Sequence, residues 1–260
     1  MSLSFNQIPA SPRIPFFFVE FDTSKAQQGP SIQEYHALVI GQRLSAGTKS
    51  AGTIDLVSSD AQADEFYGRG SMLASQIKAF RKDNKTTKLS AISLNDDGGS
   101  VAATATLTFG GTATEDGTLV IKVAGRRYRL AVANGDTGAS ISAALAVLVS
   151  ADGDAQVTAP EAGAVITFTH KNKGLAGNEM DLRVNPDIED KTPVGLTAVP
   201  VNFLSLATGS ANPDITSVIT AMGEVQFNII NLPYNDSANL TLMETELKDR
   251  FGPIRPIDGV

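Results

Sequence analysis

The sequence predicts a mixed α+β/α/β protein: an α/β body with a mostly-β domain inserted between its two halves, preceded by an extended N-terminal arm. Three observations lead there. Short apolar runs alternate with amphipathic helical patterns over residues 31–96 and again over 206–260, the rhythm of βαβ units around a parallel sheet. Residues 97–205, between them, carry period-two strands separated by Gly- and Asp-rich turns, with one alanine-rich helix. Residues 1–30 place Pro9, Pro12 and Pro15 at every third position, which blocks a helix and suits an extended backbone. Exposed loops tolerate insertions, so a β domain can interrupt an α/β one.

The elements follow in order. In the arm, Phe16-Phe17-Phe18-Val19-Glu20-Phe21-Asp22 is a strand candidate, more apolar than a free terminus carries. It needs a sheet to join, its own or a neighbour's. His36 to Ile40 is a buried strand ending at Gly41. Asp60 caps a short helix through Tyr67, Gly68-Arg69-Gly70 breaks it, and Ser71 caps a second helix. There Met72, Leu73, Ile77 and Phe80 recur at helical spacing and form one apolar face. Leu89 to Leu94 returns as a strand, parallel to the first.

The middle block opens with the loop Asn95-Asp96-Asp97-Gly98-Gly99-Ser100. Strands are expected over 105–109, 118–123 and 128–132, the last two forming a hairpin around Ala124-Gly125-Arg126. Thr137 or Ser140 opens the alanine-rich helix, Ile141 to Val149, which stops at Asp152-Gly153. Strands follow at 165–169 and 181–184, and residues 195–206 return as strand. Pro213 starts a helix to Met222 with Gly223 as its stop, and Phe227 to Leu232 is a strand. Asp236 or Ser237 caps the last helix, whose stripe Leu240, Met243, Leu247 and Phe251 ends at Gly252-Pro253.

Composition narrows the chemistry. At 260 residues there is chain enough for one large or two modest domains with an adequate core. Cysteine is absent, which excludes disulfides, thiolate metal sites and a Cys nucleophile. Tryptophan is also absent, and His36 and His170 are the two histidines. A net charge of −7 argues against a nucleic-acid or anionic-membrane surface. It is spread as net 0, −3 and −4 over residues 1–100, 101–205 and 206–260, so no segment is a charged binding tail. No apolar run reaches the ~18–20 residues needed to span a bilayer, and Pro15 to Val19 is too short for a signal peptide. The chain reads as one made in the cytosol.

Several motifs invite a functional reading and fail on spacing. Gly41 to Ser50 follows a strand, but five residues separate Gly41 from Gly47 and Thr48 intervenes before Lys49. A phosphate loop needs four and an immediate Lys, so that backbone N–H groups converge on one phosphate. A surface loop accounts for it better. Gly68-Arg69-Gly70-Ser71 opens a helix yet reads as a helix–helix corner. Asp96-Asp97 and Asp152-Gly153-Asp154 lack calcium-loop spacing and read as solvated turns. His36 and His170 read as strand-edge residues. Lys78, Arg81, Lys82, Lys85 and Lys88 read as a solvated helix end. No catalytic, cofactor-binding or metal-binding residue is expected, and no cofactor.

The order of segments resembles the tail sheath proteins of Mu-like contractile-tailed bacteriophages. The stretches that carry the resemblance are Ile8-Pro9 to Asp22, Leu38 to Leu44, Phe66 to Leu73 and Arg250 to Gly259. In the β block they are Ala124 to Tyr128 and Asn172 to Asn178. None is chemically unique; the specificity lies in order and spacing. The resemblance implies a non-enzymatic virion subunit that polymerises around a tail tube and contracts on a baseplate signal, driving the tube through the host envelope. The partners it implies are other sheath subunits, the tube and the baseplate, with no nucleic acid and no membrane insertion. Pro15, Phe16, Phe17, Phe18, Val19 and Phe21 become candidate subunit contacts, adding a strand to a neighbour. Such proteins are longer than this chain, which implies a truncated, N-terminal part. Two other readings are a nucleotide-binding α/β enzyme and a carbohydrate- or surface-binding module carried by the β insert. The scarcity of aromatic residues in that block argues against a sugar-stacking face.

Overall fold

The computed structural model describes residues 34–200 and 203–251, so the arm candidates Pro15, Phe16, Phe17, Phe18, Val19 and Phe21 lie outside the described residues. The architecture is mixed α/β, with three sheets and five α-helices among the described residues.

The body begins with β1 (His36–Gln42), β2 (Ile54–Leu56), α1 (Asp60–Tyr67), α2 (Met72–Asp83) and β3 (Lys88–Leu94). It resumes near the end with α4 (Thr216–Met222), β13 (Ile229–Asn231) and α5 (Ser237–Arg250). Its sheet has the order β13-β1-β3-β2, parallel except for β2 at one edge. His36 pairs with Lys88 and the register runs to Gln42 beside Leu94, the parallel pair expected from sequence. The continuous apolar run of β1 is explained by burial on both faces. Ala37 and Val39 face a core with Leu89, Ala91, Tyr67, Leu73 and Ile77, under α1 and α2. Leu38 and Ile40 face the opposite core with Ile92, Leu94, Val218, Met222 and Met243, under α4 and α5. Period two thus splits one run between two cores.

Residues 104–205 supply the other two sheets. Their elements are β4 (Thr104–Gly111), β5 (Gly117–Val123), β6 (Arg126–Val132), α3 (Gly138–Ala151), β7 (Val157–Thr158), β8 (Glu161–Ala162) and β9 (Val165–His170). A 3₁₀ turn (Leu175–Glu179), β10 (Asp181–Val184), β11 (Leu196–Val199) and β12 (Phe203–Ser205) complete the block. One antiparallel sheet runs β12-β10-β5-β6; the other runs β11-β4-β9-β7, with β8 pairing onto β9. Both close with α3 around a single core that includes Leu107, Phe109, Leu119, Ile121, Ile141, Leu145, Ile166 and Phe168. The β5–β6 hairpin turns on two residues, since Val123 pairs with Arg126. Ala124 (φ 49°) and Gly125 (φ 79°) both take positive φ, the type I′ geometry that matches strand twist.

Residues 101–104 and 207–210 run antiparallel and are joined by backbone hydrogen bonds. Val101 and Ser210 exchange backbone hydrogen bonds at 3.2 Å each way, and Thr104 and Ala207 do so at 2.7 and 2.9 Å. These paired stretches, residues 101–104 against 207–210, form a short antiparallel neck.

Some expectations need correction. The cap of α1 is Ser59, whose hydroxyl accepts from the Gln62 N–H, with Asp60 the first helical residue. Helix α4 starts at Thr216 and not at Pro213; the Asp214 carboxylate accepts the Thr216 N–H at 2.6 Å and holds the approach non-helical. The strand expected over 227–232 is three residues long, because Phe227 instead turns into the core against the His36 ring. The stripe expected on α5 is present, with Met243 6% exposed, Leu240 47% and Phe251 80%.

Candidate functional site

None of the motifs tested as catalytic or ligand-binding assembles a reaction centre. In the phosphate-loop look-alike, the Thr48 N–H donates to the Glu65 carbonyl and the Lys49 N–H to the Phe66 carbonyl, both at the end of α1. Lys49 pairs with Asp55 at 3.1 Å and lies over the Phe66 ring. The donors that would cradle a phosphate are used to fasten the loop to α1. His36 shares a hydrogen bond with the Ser90 hydroxyl at 2.8 Å and packs on Phe227, as a strand-edge residue would. No group of three or more His, Asp or Glu able to hold a metal occurs among the described residues.

The residues that do converge lie where the body meets the β block. Asn172, fully buried, is the hub of the first cluster. Its Oδ1 accepts the Met72 N–H at 2.9 Å, so a side chain of the β block satisfies the N-terminus of α2. Its Nδ2 donates to the Arg43 carbonyl at 2.9 Å and to Asp96 Oδ1 at 3.3 Å. Asp96 also accepts from Gln42 Nε2 at 2.7 Å and from the Lys173 N–H at 3.1 Å. His170 Nδ1 lies 2.5 Å from the Asn172 carbonyl, and burial lowers the imidazole pKa despite that bond. His170 is the last residue of β9, the strand-end position expected from sequence, and is 2% exposed.

The second cluster is ionic. Asp154 accepts from Arg69 Nε and Lys78 Nζ, each at 2.8 Å, and Lys78 also reaches Asp64 at 2.7 Å. Asp152 accepts two bonds from Arg126, at 2.5 and 2.9 Å, and the Tyr128 hydroxyl at 3.1 Å. The hydrogen bonds from Arg69 and Lys78 hold the Asp154 carboxyl well below the usual carboxylate range. Burial acts to raise the Asp152 pKa, but the bonds from Arg126 and Tyr128 prevail and lower it. Burial pushes the Tyr128 phenol up to about 12, with Asp152 adding to the shift. Asp152-Gly153-Asp154 is thus an ion-pair anchor and not a solvated turn, whereas Asp96 accepts from uncharged donors and Asp97 is exposed. Lys78 and Arg81 likewise leave the solvated strip, Arg81 pairing with Asp60 at 3.1 Å.

A third set of contacts flanks the neck. Asn178 exchanges hydrogen bonds with the Gly209 backbone at 2.8 and 3.0 Å, and Asn212 ties the Leu175 N–H to Asp236. Asn235 of the body donates to Glu179 of the 3₁₀ turn at 3.1 Å. A cleft of about 330 Å³ lies beside it, lined in part by Met72, Gln76, His170, Glu179 and Asn235. The backbones approach closely at the corner between α1 and α2. Gly70 (φ 78°) sits where a Cβ would stand 2.5 Å from the Ala155 carbonyl oxygen.

Chemically, the arrangement matches donors and acceptors between residues 42–96 and residues 126–173, and its effect is to fasten these segments to each other. Four segments that carry the family resemblance meet in it: Leu38 to Leu44, Phe66 to Leu73, Ala124 to Tyr128 and Asn172 to Asn178. Sequence reasoning singled out Arg69, Asp96, Asp152 and Asp154 but missed their joint role. Gln42 and Asn172 lie in stretches that carry the resemblance but had no role of their own; an Asn two residues past a strand end is the local signal that could have marked the second.

Comparison with known proteins bears out the resemblance read from the sequence. No family model matches the chain. The Mu-like prophage FluMu tail sheath protein of Haemophilus influenzae is 38% identical over 260 residues, all of this chain and 53% of that protein. The chain therefore spans about half the length of the curated relative it matches. Among solved structures, a sheath tail protein from Listeria innocua aligns with 14% identity and a TM-score of 0.35, covering 88% of this chain and 48% of that one. A sheath tail protein from Desulfitobacterium hafniense aligns with 17% identity and a TM-score of 0.34, covering 94% and 52%. Superpositions this loose carry no argument about geometry.

Proposed function

We propose that this chain is a structural part of a contractile phage tail sheath subunit, working by assembly and rearrangement rather than by catalysis. The observation that carries the proposal is the 38% identity to a prophage tail sheath protein along every part of the chain. The junction supports it independently, because a lattice element must keep its parts in fixed orientation under load. Residues 31–96 and 206–260 act as the lattice-forming α/β body, and residues 97–205 as an inserted β domain carried on the neck. Residues 1–30 act as an arm whose Pro15, Phe16, Phe17, Phe18, Val19 and Phe21 add a strand to a neighbouring subunit. Main-chain hydrogen bonds made this way hold while the domains they link rotate. The partners are other sheath subunits in a helical lattice around the tail tube, with the baseplate as trigger, and the place of action is the virion. No step needs a nucleotide or metal.

The test is negative-stain electron microscopy of the protein as its gene encodes it, with and without residues 1–22. The intact protein should form rings or hollow tubes, and the deletion should stay folded but fail to assemble. Compact monomers from the intact protein under all conditions would overturn the sheath reading. Normal tubes from the deletion would overturn the role given to the arm alone.

A further inference from the structure

His170 ends β9 in the interior, and the sheath reading gives its imidazole no role. Gly177 of the 3₁₀ turn packs on the ring so closely that a Cβ there would stand 3.2 Å from His170 Cγ. Nδ1 meets the Asn172 carbonyl, which can only accept, so Nδ1 carries the proton of the neutral ring. Nε2 is then a bare acceptor, and it has no hydrogen-bond partner among the described residues. The ring lines the cleft of about 330 Å³, which it shares with Met72 and Gln76 of α2, Glu179 of the 3₁₀ turn, and Pro233 and Asn235. Two carboxylates act on this site. Asp96 already accepts from Gln42, Asn172 and the Lys173 N–H. Glu179 is exposed and accepts from Asn235. What α2, residues 233–235 and β7 (Val157) turn toward the ring is uncharged. Lys171 is directed to Gly70, and Lys173 is exposed.

We infer that His170 is a protonation latch: its neutral ring holds residues 170–179 against the start of α2, and a second proton releases them. The hold runs through Asn172. Its carbonyl takes the imidazole N–H, while its Oδ1 takes the Met72 N–H at 2.9 Å, so the ring and the helix start share one residue. A proton on Nε2 places a cation among thioether, alkyl and amide groups, with Asp96 committed to other donors. A buried charge persists only when it is paired and fully hydrogen-bonded. Nε2–H gains an acceptor when the ring turns out to Glu179 or water enters the cleft. Either movement parts the 3₁₀ turn from α2 and loosens Asn172. Burial is the main influence on the closed ring and lowers its pKa, outweighing the Asn172 bond and Asp96, which act to raise it. A released ring titrates near its ordinary value of ~6.5. The released form therefore takes up the proton first. The latch is fully closed above that pH, and below it the closed-to-released ratio falls by up to about 10-fold per pH unit until the closed ring also protonates.

The test follows the Met72 amide of the full chain by residue-resolved hydrogen exchange. Protection factors are compared, so that the intrinsic pH dependence of exchange cancels. Between pH 7.5 and 5 the Met72 value should fall at least ~10-fold in the parent, while β1 and β3 amides keep theirs. H170Q fills similar space with a side chain that does not titrate, and its Met72 protection should stay flat. H36Q should behave as the parent. Flat protection in the parent would overturn the latch, and so would an equal fall in H170Q. A fall in the parent that vanishes in H36Q would assign the effect to His36 and overturn it too. Should H170Q fail to fold, the parent decides alone, because its two histidines give two imidazole proton signals. The His170 signal must report protonation over the pH range in which Met72 loses protection; a mismatch would overturn the inference. The result does not depend on lattice assembly, so it stands apart from the sheath reading.

Discussion

Asp154 takes its cations from Arg69 and Lys78, 85 and 76 positions away in the chain, and this distance explains why the sequence did not disclose its role. Read locally, Asp152-Gly153-Asp154 is a turn after a helix, and its composition says nothing about a partner arriving from another element. The same is true of Asn172, which satisfies α2 from 100 residues away. What was legible at this scale were the local caps: Ser71, Thr137 and Asp236 each accept from the first turn of the helix they precede. The ion pairs also set a pH dependence. The folded-state pKa of Asp154 lies below its unfolded value near ~4, so its stabilisation is fully present above that value. It is lost as pH falls toward the folded pKa. D154N should be less stable than the parent by about 1–2 kcal/mol at pH 7, allowing for the partial exposure of the pair. Urea unfolding at pH 7 and at pH 3 checks this: the gap should narrow at the lower pH, and an unchanged gap would mean the charge is not what stabilises.

Elements were legible where one physical signal dominated. The two central strands stood out because burial on both faces leaves β1 apolar from Ala37 to Ile40 and interrupts β3 only with the small serines Ser90 and Ser93, and β5–β6 because Ala124-Gly125 sits between two apolar-rich runs. β2 escaped notice: three residues are too few to show a period, and Leu56 is exposed. The α5 stripe was legible as one face of a helix, but spacing does not say what covers that face. How elements meet across the junction can be tested with two glycines of nearly equal φ. Gly70 (78°) lies against the 153–155 turn, whereas a Cβ on Gly125 (79°) would meet nothing within 4 Å. G125A should cost about 1 kcal/mol from left-handed strain alone. G70A carries the same strain plus a clash with the Ala155 and Gly153 carbonyls, so thermal unfolding should place it below G125A. Equal melting temperatures would show that the junction yields at no cost.

At the scale of the whole molecule, the question is whether the body and the β block are separate folding units joined by a neck. Each has its own core: Leu38, Ile40 and their neighbours in the body, Leu107, Phe109 and theirs in the block. The crossings come together at Val101 and Ser210, whose reciprocal backbone hydrogen bonds are those of an antiparallel pair. A two-residue Asn-Gly turn spans such a pair, so residues 102–209 can be replaced by one without moving either end. The shortened body should fold, with β1 and β3 amides keeping their protection from exchange. Its stability should fall, because Asn172 no longer satisfies the first turn of α2 and Lys78 loses Asp154. In the same way, residues 101–210 made alone should fold around their single core. Failure of the shortened body to protect β1 and β3 would show that the block is part of the body's folding unit. The junction would then be an internal core contact and not a joint, and the division into body, neck and inserted domain would have to be abandoned.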